Sequence, residues 1–193
     1  TIMDMVVQQK LDALKNVVAN TPLAKINLKY KGKETCVYAK LEYFNFSGSI
    51  KDRIASYIIQ KERENGNLKE GQSIVEVTSG NTGISFSAIG ALYGHEVHIF
   101  MPDWVSLERR KLIEMYGAQV HLVSKEDGGF KRALELAEEF SLENGAYRPL
   151  QFDNVLNIEG VEIEIKQLSK DEIIAKGKIN KIYLSREYAD EEK

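Results

Sequence analysis

Ile74-Val75-Glu76-Val77-Thr78-Ser79-Gly80-Asn81-Thr82-Gly83 changes character halfway along. Ile74 to Thr78 reads as a short buried strand, and the residues after Gly83 read as a small-residue helix with Ile84, Ala88, Ile89 and Leu92 on its apolar positions. Two glycines and several hydroxyl or amide side chains join the two. Helix N-termini carry free N–H groups and partial positive charge, so this junction suits a carboxylate or a phosphate. It reads equally well as an ordinary helix cap, because Ser, Thr and Asn are favoured there for local reasons.

The same alternation continues on either side. Cys36 to Leu41 favours a strand, and Ile50 to Glu64 spaces Ile50, Ile54, Tyr57 and Ile58 as a helix that Gly66 ends. Downstream, Glu96 to Met101 is a strand and Pro102-Asp103 a turn. Ser106 to Tyr116 is a helix opening on a serine cap, and Gln119 to Val123 is a further strand. Phe130 to Asn144 is a helix closed by Gly145, with a last short strand expected around Pro149 to Phe152. Alternating strands and helices imply an α/β fold, a parallel sheet with helices on both faces, whose ligands bind at the carboxyl ends of the strands. Past Asn154 the composition shifts to mixed charge, with one helix expected around Ile163 to Ile174.

Composition narrows the function. The chain has 193 residues, 43% hydrophobic and 28% charged, with a net charge of -3 spread along its length, which fits a folded domain and gives no electrostatic footprint for nucleic acid. A small polar ligand is the expected partner. No stretch is apolar for long enough to cross a bilayer, and the first twenty residues lack the unbroken apolar run of a signal peptide. With Cys36 as the single cysteine, no intramolecular disulfide or multi-cysteine zinc site can form, and the cytoplasm is the expected compartment. Cys36 itself is expected in the core. His95, His98 and His121 lack a metal-ligand spacing and are expected to be structural. Trp104 reads either as a pocket cap or as surface packing.

A second stretch, Asn45-Phe46-Ser47-Gly48-Ser49-Ile50-Lys51-Asp52-Arg53, puts a lysine in the first turn of a helix after a glycine loop. The helix dipole disfavours a cation there, which suggests a use for the amine. Taken singly, a lysine beside Asp52 and Arg53 is more often a surface residue than a catalytic one.

Several segments in order resemble the group of cysteine synthase, cystathionine beta-synthase and serine/threonine dehydratase, the fold-type-II pyridoxal-phosphate enzymes. They are Asn20-Thr21-Pro22-Leu23, Ala39-Lys40-Leu41-Glu42, Gly48 to Arg53, Thr78 to Gly83, Met101-Pro102, Gly117-Ala118 and Gln151-Phe152-Asp153-Asn154. The last looks most like cysteine synthase. By that resemblance Lys51 carries pyridoxal 5'-phosphate and moves the substrate's alpha proton, Asn81 binds the cofactor's ring hydroxyl, and Thr78, Ser79, Asn81, Thr82 and Gln151 bind a small amino acid. The implied reaction is β-replacement or β-elimination on O-acetylserine, serine or cysteine, giving cysteine or releasing hydrogen sulfide, in a homodimer.

The resemblance also implies a division of the chain. Residues 1–44 begin a larger cofactor domain, residues 45–154 form a smaller mobile domain with the substrate loop, and residues 155–193 are a charged remnant or divergent tail. Phe46 stands where the family usually has proline. After Asn154 the only glycines are Gly160 and Gly177, so the family's glycine-rich phosphate cradle is missing and the second domain is expected to be incomplete. The alternative is therefore a truncated or split relative that acts, if at all, by associating with another chain.

Overall fold

The computed structural model describes residues 9, 13–14, 16–151, 154–160, 163–167 and 173–177. A hairpin comes first, β1 (Leu23–Tyr30) antiparallel to β2 (Lys33–Lys40), followed by a 3-10 turn at Glu42–Phe44. The chain then runs through α1 (Lys51–Glu64), β3 (Ile74–Val77), α2 (Asn81–Leu92), β4 (Val97–Pro102), α3 (Leu107–Met115), β5 (Gln119–Val123) and α4 (Gly129–Asn144). It ends in α5 (Val155–Glu159) and a second antiparallel pair, β6 (Ile163–Gln167) with β7 (Ile173–Gly177).

β3, β4 and β5 form a parallel sheet in that order. β3 and β4 are buried along their whole length, as fits strands covered on both faces, while β5 is the half-exposed edge. Side-chain alternation divides the core in two. Ile74, Ile99 and Met101 pack with Ile58, Ile84, Ile89 and Ile113 of α1, α2 and α3, whereas Val75, Val77, Phe100 and Val123 pack with Ala133 and Ala137 of α4. Each fully buried isoleucine, such as Ile58 or Ile89, contributes about 1.5–3 kcal/mol relative to exposure.

The return of the chain after α4 matters most for the site. Tyr147 lies parallel to Ile74 on the edge of β3 opposite β4, with the Val75 N–H donated to the Tyr147 carbonyl at 2.9 Å and the Tyr147 N–H to the Ser73 carbonyl at 2.8 Å. Connections thus leave β3 in one direction through α2 and come back to its other side through α4. In sheets of this kind the strand end where the connections reverse, here the carboxyl end of β3, is where ligands bind.

Some expectations are corrected. No strand runs from Pro149 through Gln151: the pairing is the single bridge at Tyr147, because proline lacks an N–H and Leu150 turns the backbone with φ 51°. Phe152 lies outside the described residues. In place of a helix around Ile163 to Ile174, Ile163–Gln167 and Ile173–Gly177 are strands. Ile163 and Ile165 alternate with Glu164 and Lys166, a period of two. β1 was not anticipated, although Ala24, Ile26, Leu28 and Tyr30 alternate with polar residues and Lys31-Gly32, both at positive φ, make a two-residue hairpin turn. Ser106 occupies the cap position of α3 but makes no side-chain cap bond; its hydroxyl bonds Glu108 instead. Cys36 is half-buried rather than in the core.

Candidate active site

Lys51 is the first residue of α1, and what places it is the loop before it. Asp52, fully buried, accepts bonds from both the backbone N–H and the hydroxyl of Ser47, and from Ser85 of α2. The Ser47 and Ser85 hydroxyls are 3.1 Å apart. Burial pushes the Asp52 carboxyl up from its ordinary range, and the bonds from Ser47 and Ser85 partly offset it. Ser85 sits one turn after Asn81, about 6 Å along the helix. The lysine loop is therefore fastened to α2 close to the end that Asn81 opens.

A second buried network holds the other side of that loop. Arg53, whose side chain is 1% exposed, donates through Nε to Glu42 Oε2 at 2.7 Å and through Nη2 to Glu42 Oε1 at 2.8 Å, a two-pronged pair. It also reaches the Ala19 carbonyl at 3.0 Å. Thr21 donates its hydroxyl to Glu42 at 2.7 Å, and the Asn45 amide donates to Glu42 and to the Ser49 carbonyl while its oxygen accepts the Ala19 N–H at 2.8 Å. Burial works to raise the Glu42 pKa, but bonds from Arg53, Thr21 and Asn45 outweigh it and hold the carboxyl below its ordinary range. Segments 19–21 and 42–45 are thereby bound to the first turn of α1.

At the end of β3, Thr78 is buried and its hydroxyl accepts the Gly80 N–H at 3.3 Å. Ser79 and Asn81 are exposed, and Thr82 is buried under the first turn of α2. Gly83 is what lets this turn settle, since a Cβ there would lie 2.7 Å from Thr78 Cγ2. Arg109 Nη1 donates to the Ser79 carbonyl at 3.4 Å, adding positive charge beside the loop. Gln151 is buried, 7% exposed, and donates its side-chain Nε2 to the Val77 carbonyl at 3.2 Å. The structure thus brings Thr78, Ser79, Asn81, Thr82 and Gln151 together around the carboxyl end of β3 and the first turn of α2, with Lys51 heading the helix packed against α2.

A Cβ built on Gly48 or Gly80 meets no atom within 4 Å, so open space lies over both loops. With an amine at one helix start and an amide and hydroxyls at the other, the residues fit the ring side of pyridoxal phosphate and a substrate carboxylate. No glycine-rich cradle for the phosphate occurs among the described residues after Gln151.

Three features escaped sequence reasoning. Glu76 was passed over inside an apolar strand; a lone carboxylate at a core position was the available signal. The Asp52–Ser47–Ser85 clasp joins residues 38 apart, and the contact of Arg109 with Ser79 joins residues 30 apart, so no local pattern marks either. Trp104 is 58% exposed and lies over Gly129, where a Cβ would meet its ring at 2.7 Å; it packs at the surface. The histidines are satisfied by neighbours, His98 by His121 at 3.0 Å and His95 by Gln72 and Arg63. Among the described residues no cluster could hold a metal ion, and no helix is long and apolar enough to cross a membrane.

Comparison with known proteins shows which family the chain resembles along its length. The sequence profile of the family described as "Pyridoxal-phosphate dependent enzyme" matches residues 14–171. A cysteine synthase of Staphylococcus aureus (strain Mu50 / ATCC 700699) is 38% identical over 156 residues, covering 81% of this chain and 50% of the relative. A probable cysteine synthase of Bacillus subtilis (strain 168) is 42% identical over 145 residues, covering 74% and 46%. The crystal structure of a hydrogen sulfide-producing enzyme from Fusobacterium nucleatum superposes with a TM-score of 0.75 at 47% identity, covering 79% of this chain and 46% of that one. The chain spans about half the length of the curated relatives it matches.

Proposed function

This chain belongs to the family of pyridoxal-phosphate-dependent enzymes, and from that membership we propose that it serves β-replacement or β-elimination on O-acetylserine, serine or cysteine. The observation that carries the reading is the pairing of two helix starts. α1 presents Lys51, α2 presents Asn81, and the Ser47–Asp52–Ser85 bonds hold the two together. The relatives named as cysteine synthases and as a hydrogen sulfide-producing enzyme support this choice of chemistry.

Pyridoxal phosphate, when bound, supplies an electron sink that makes a substrate's alpha hydrogen acidic. Lys51 would hold the cofactor through its amine, and its Nζ would be the group that accepts or returns the alpha proton. Asn81 would hold the ring hydroxyl through its side-chain amide. Thr78, Ser79, Thr82 and Gln151 would receive the carboxylate, orienting the alpha hydrogen toward Lys51 with the N-terminal end of α2 contributing its partial charge. Loss of acetate from O-acetylserine with addition of hydrogen sulfide gives cysteine. Water acting on cysteine gives pyruvate, ammonia and hydrogen sulfide.

In this proposal residues 45–154 are the smaller, mobile domain with the substrate loop, residues 1–44 belong to a larger cofactor domain, and residues 155–193 are a charged remnant of that domain or a divergent tail. The protein is proposed to work in the cytoplasm as a homodimer. Mixing the purified chain with pyridoxal phosphate should give a yellow, lysine-bound species. Borohydride should fix the label on the peptide containing Lys51, and Lys51→Ala should remain colourless. A colourless wild type would overturn the reading.

A further inference from the structure

Glu76 occupies the third position of β3, opposite Ile99 of β4, and is 6% exposed. A carboxylate inside a sheet is costly unless its oxygens are bonded. Here both are. Oε1 accepts the Val77 N–H at 2.8 Å, and Oε2 accepts the Gln151 N–H at 3.3 Å across 75 residues of sequence. Gln151 in turn donates its Nε2 to the Val77 carbonyl at 3.2 Å, and its own carbonyl accepts a bond from Asn157. Backbone and side chain of Gln151 are thus both tied to the last residues of β3.

The residue before Gln151 marks a sharp turn in the chain just ahead of this tie. Leu150 has φ 51°, a left-handed conformation that a leucine adopts only when its surroundings impose it. The bond from Gln151 to Glu76 lies immediately past that turn, which Asn154 holds from the other side by donating to the Leu150 and Pro149 carbonyls. The other ionisable groups around Glu76 come from the returning segment, Arg148 and Tyr147, and from α1, whose Glu62 hydrogen-bonds Tyr147.

We propose that Glu76 is a positioning residue for Gln151, holding its carboxamide against the end of β3, beside the Thr78 loop, where the carboxylate of an amino-acid substrate is read. This deepens the function proposed above and rests on its assignment of Gln151 to the carboxylate. Burial raises the Glu76 pKa to about 7, outweighing the Val77 and Gln151 N–H bonds and the Arg148 charge, which favour the ionised carboxyl; a form in which Gln151 has lifted and water reaches the carboxyl relieves that burial and holds the proton less tightly. Rising pH therefore favours opening.

Residue-resolved amide exchange on the full chain tests the tie without cofactor. Corrected for intrinsic rates, protection of the Gln151 amide should fall about tenfold or more between about pH 5.5 and about pH 8.5 in wild type. In Glu76→Gln the carboxamide offers a single accepting oxygen to the two N–H donors of Val77 and Gln151, and the shorter Val77 bond keeps it. Exchange at Gln151 should be about tenfold faster at about pH 6 and independent of pH, while Ile99 and Phe100 keep their protection. With cofactor loaded, Glu76→Gln should weaken binding of serine about tenfold and leave pyridoxal phosphate affinity unchanged. Should the variant fail to fold, the wild-type pH series decides alone, and flat protection overturns the proposal. Altered exchange with unchanged serine affinity also overturns it, since Glu76 would then only stabilise the segment. A wild type that binds no cofactor would sink the proposed function, whereas the exchange data would still judge the tie between Glu76 and Gln151.

Discussion

The Ser47 hydroxyl lies 3.1 Å from that of Ser85, and both bond Asp52, which stands next to Lys51 in the first turn of α1. One contact therefore links the loop delivering Lys51 to the helix opened by Asn81. Ser85→Ala removes a donor from a buried carboxylate and should lower stability by about 1–3 kcal/mol. Pyridoxal phosphate affinity should fall with it. Urea unfolding together with a cofactor titration measures both, and an unchanged midpoint and affinity would refute the role of the clasp.

Glu76 makes stability depend on pH with a definite sign. Its folded pKa of about 7 stands above the ordinary 4.5, so the folded state binds the extra proton between those values. This group's contribution falls as pH rises through that window, by about 3 kcal/mol in all. Denaturation of wild type and Glu76→Gln at about pH 5 and about pH 8 should show the variant gaining on wild type by that order. An identical difference at both pH values would contradict the burial argument.

Gly83 is required by closeness rather than by backbone conformation. A methyl group there would sit 2.7 Å from Thr78 Cγ2 and 3.2 Å from Ile113 Cδ1. Gly83→Ala should cost about 1–3 kcal/mol through overpacking. Because Thr78 is the atom displaced, amino-acid binding should weaken as well. A fully stable variant would show that the first turn of α2 has room to move.

Arg53 and Glu42 are paired at 1% and 16% side-chain exposure, the guanidinium buried and the carboxylate partly open to water. Arg53→Met leaves the partly exposed carboxylate without its main partner, with Thr21 and Asn45 still donating to it, and should destabilise the chain by about 1–3 kcal/mol. The Glu42 pKa lies below 4.5, so the stability it supplies is present above that value and lost as pH falls through its lowered folded pKa. Acid unfolding should accordingly begin at a higher pH in Glu42→Gln than in wild type if other groups depend on the pair. Matching acid transitions would instead assign the acid sensitivity elsewhere.

Much of the fold was legible because its signals are local. The helices from Lys51 and from Gly129 announce themselves by apolar spacing, and glycines with positive φ end them at Gly66 and Gly145. Gln119–Val123 matches its expected strand. What failed was pairing. Nothing adjacent to Tyr147 says that it alone meets Ile74, and the alternation in Leu23–Tyr30 needed a partner strand to become meaningful.

The candidate site divides in the same way. Lys51, Asn81 and the Thr78 loop are conspicuous in sequence because each stands at a strand or helix end, where local chemistry concentrates. By itself the sequence determined the alternating elements, the family kinship and these side chains. Only the tertiary structure decided that Glu76 holds Gln151 and that Ser85 holds Asp52, because hydrogen bonds spanning 75 and 33 positions exist only once the sheet has reversed its direction and the helices have packed.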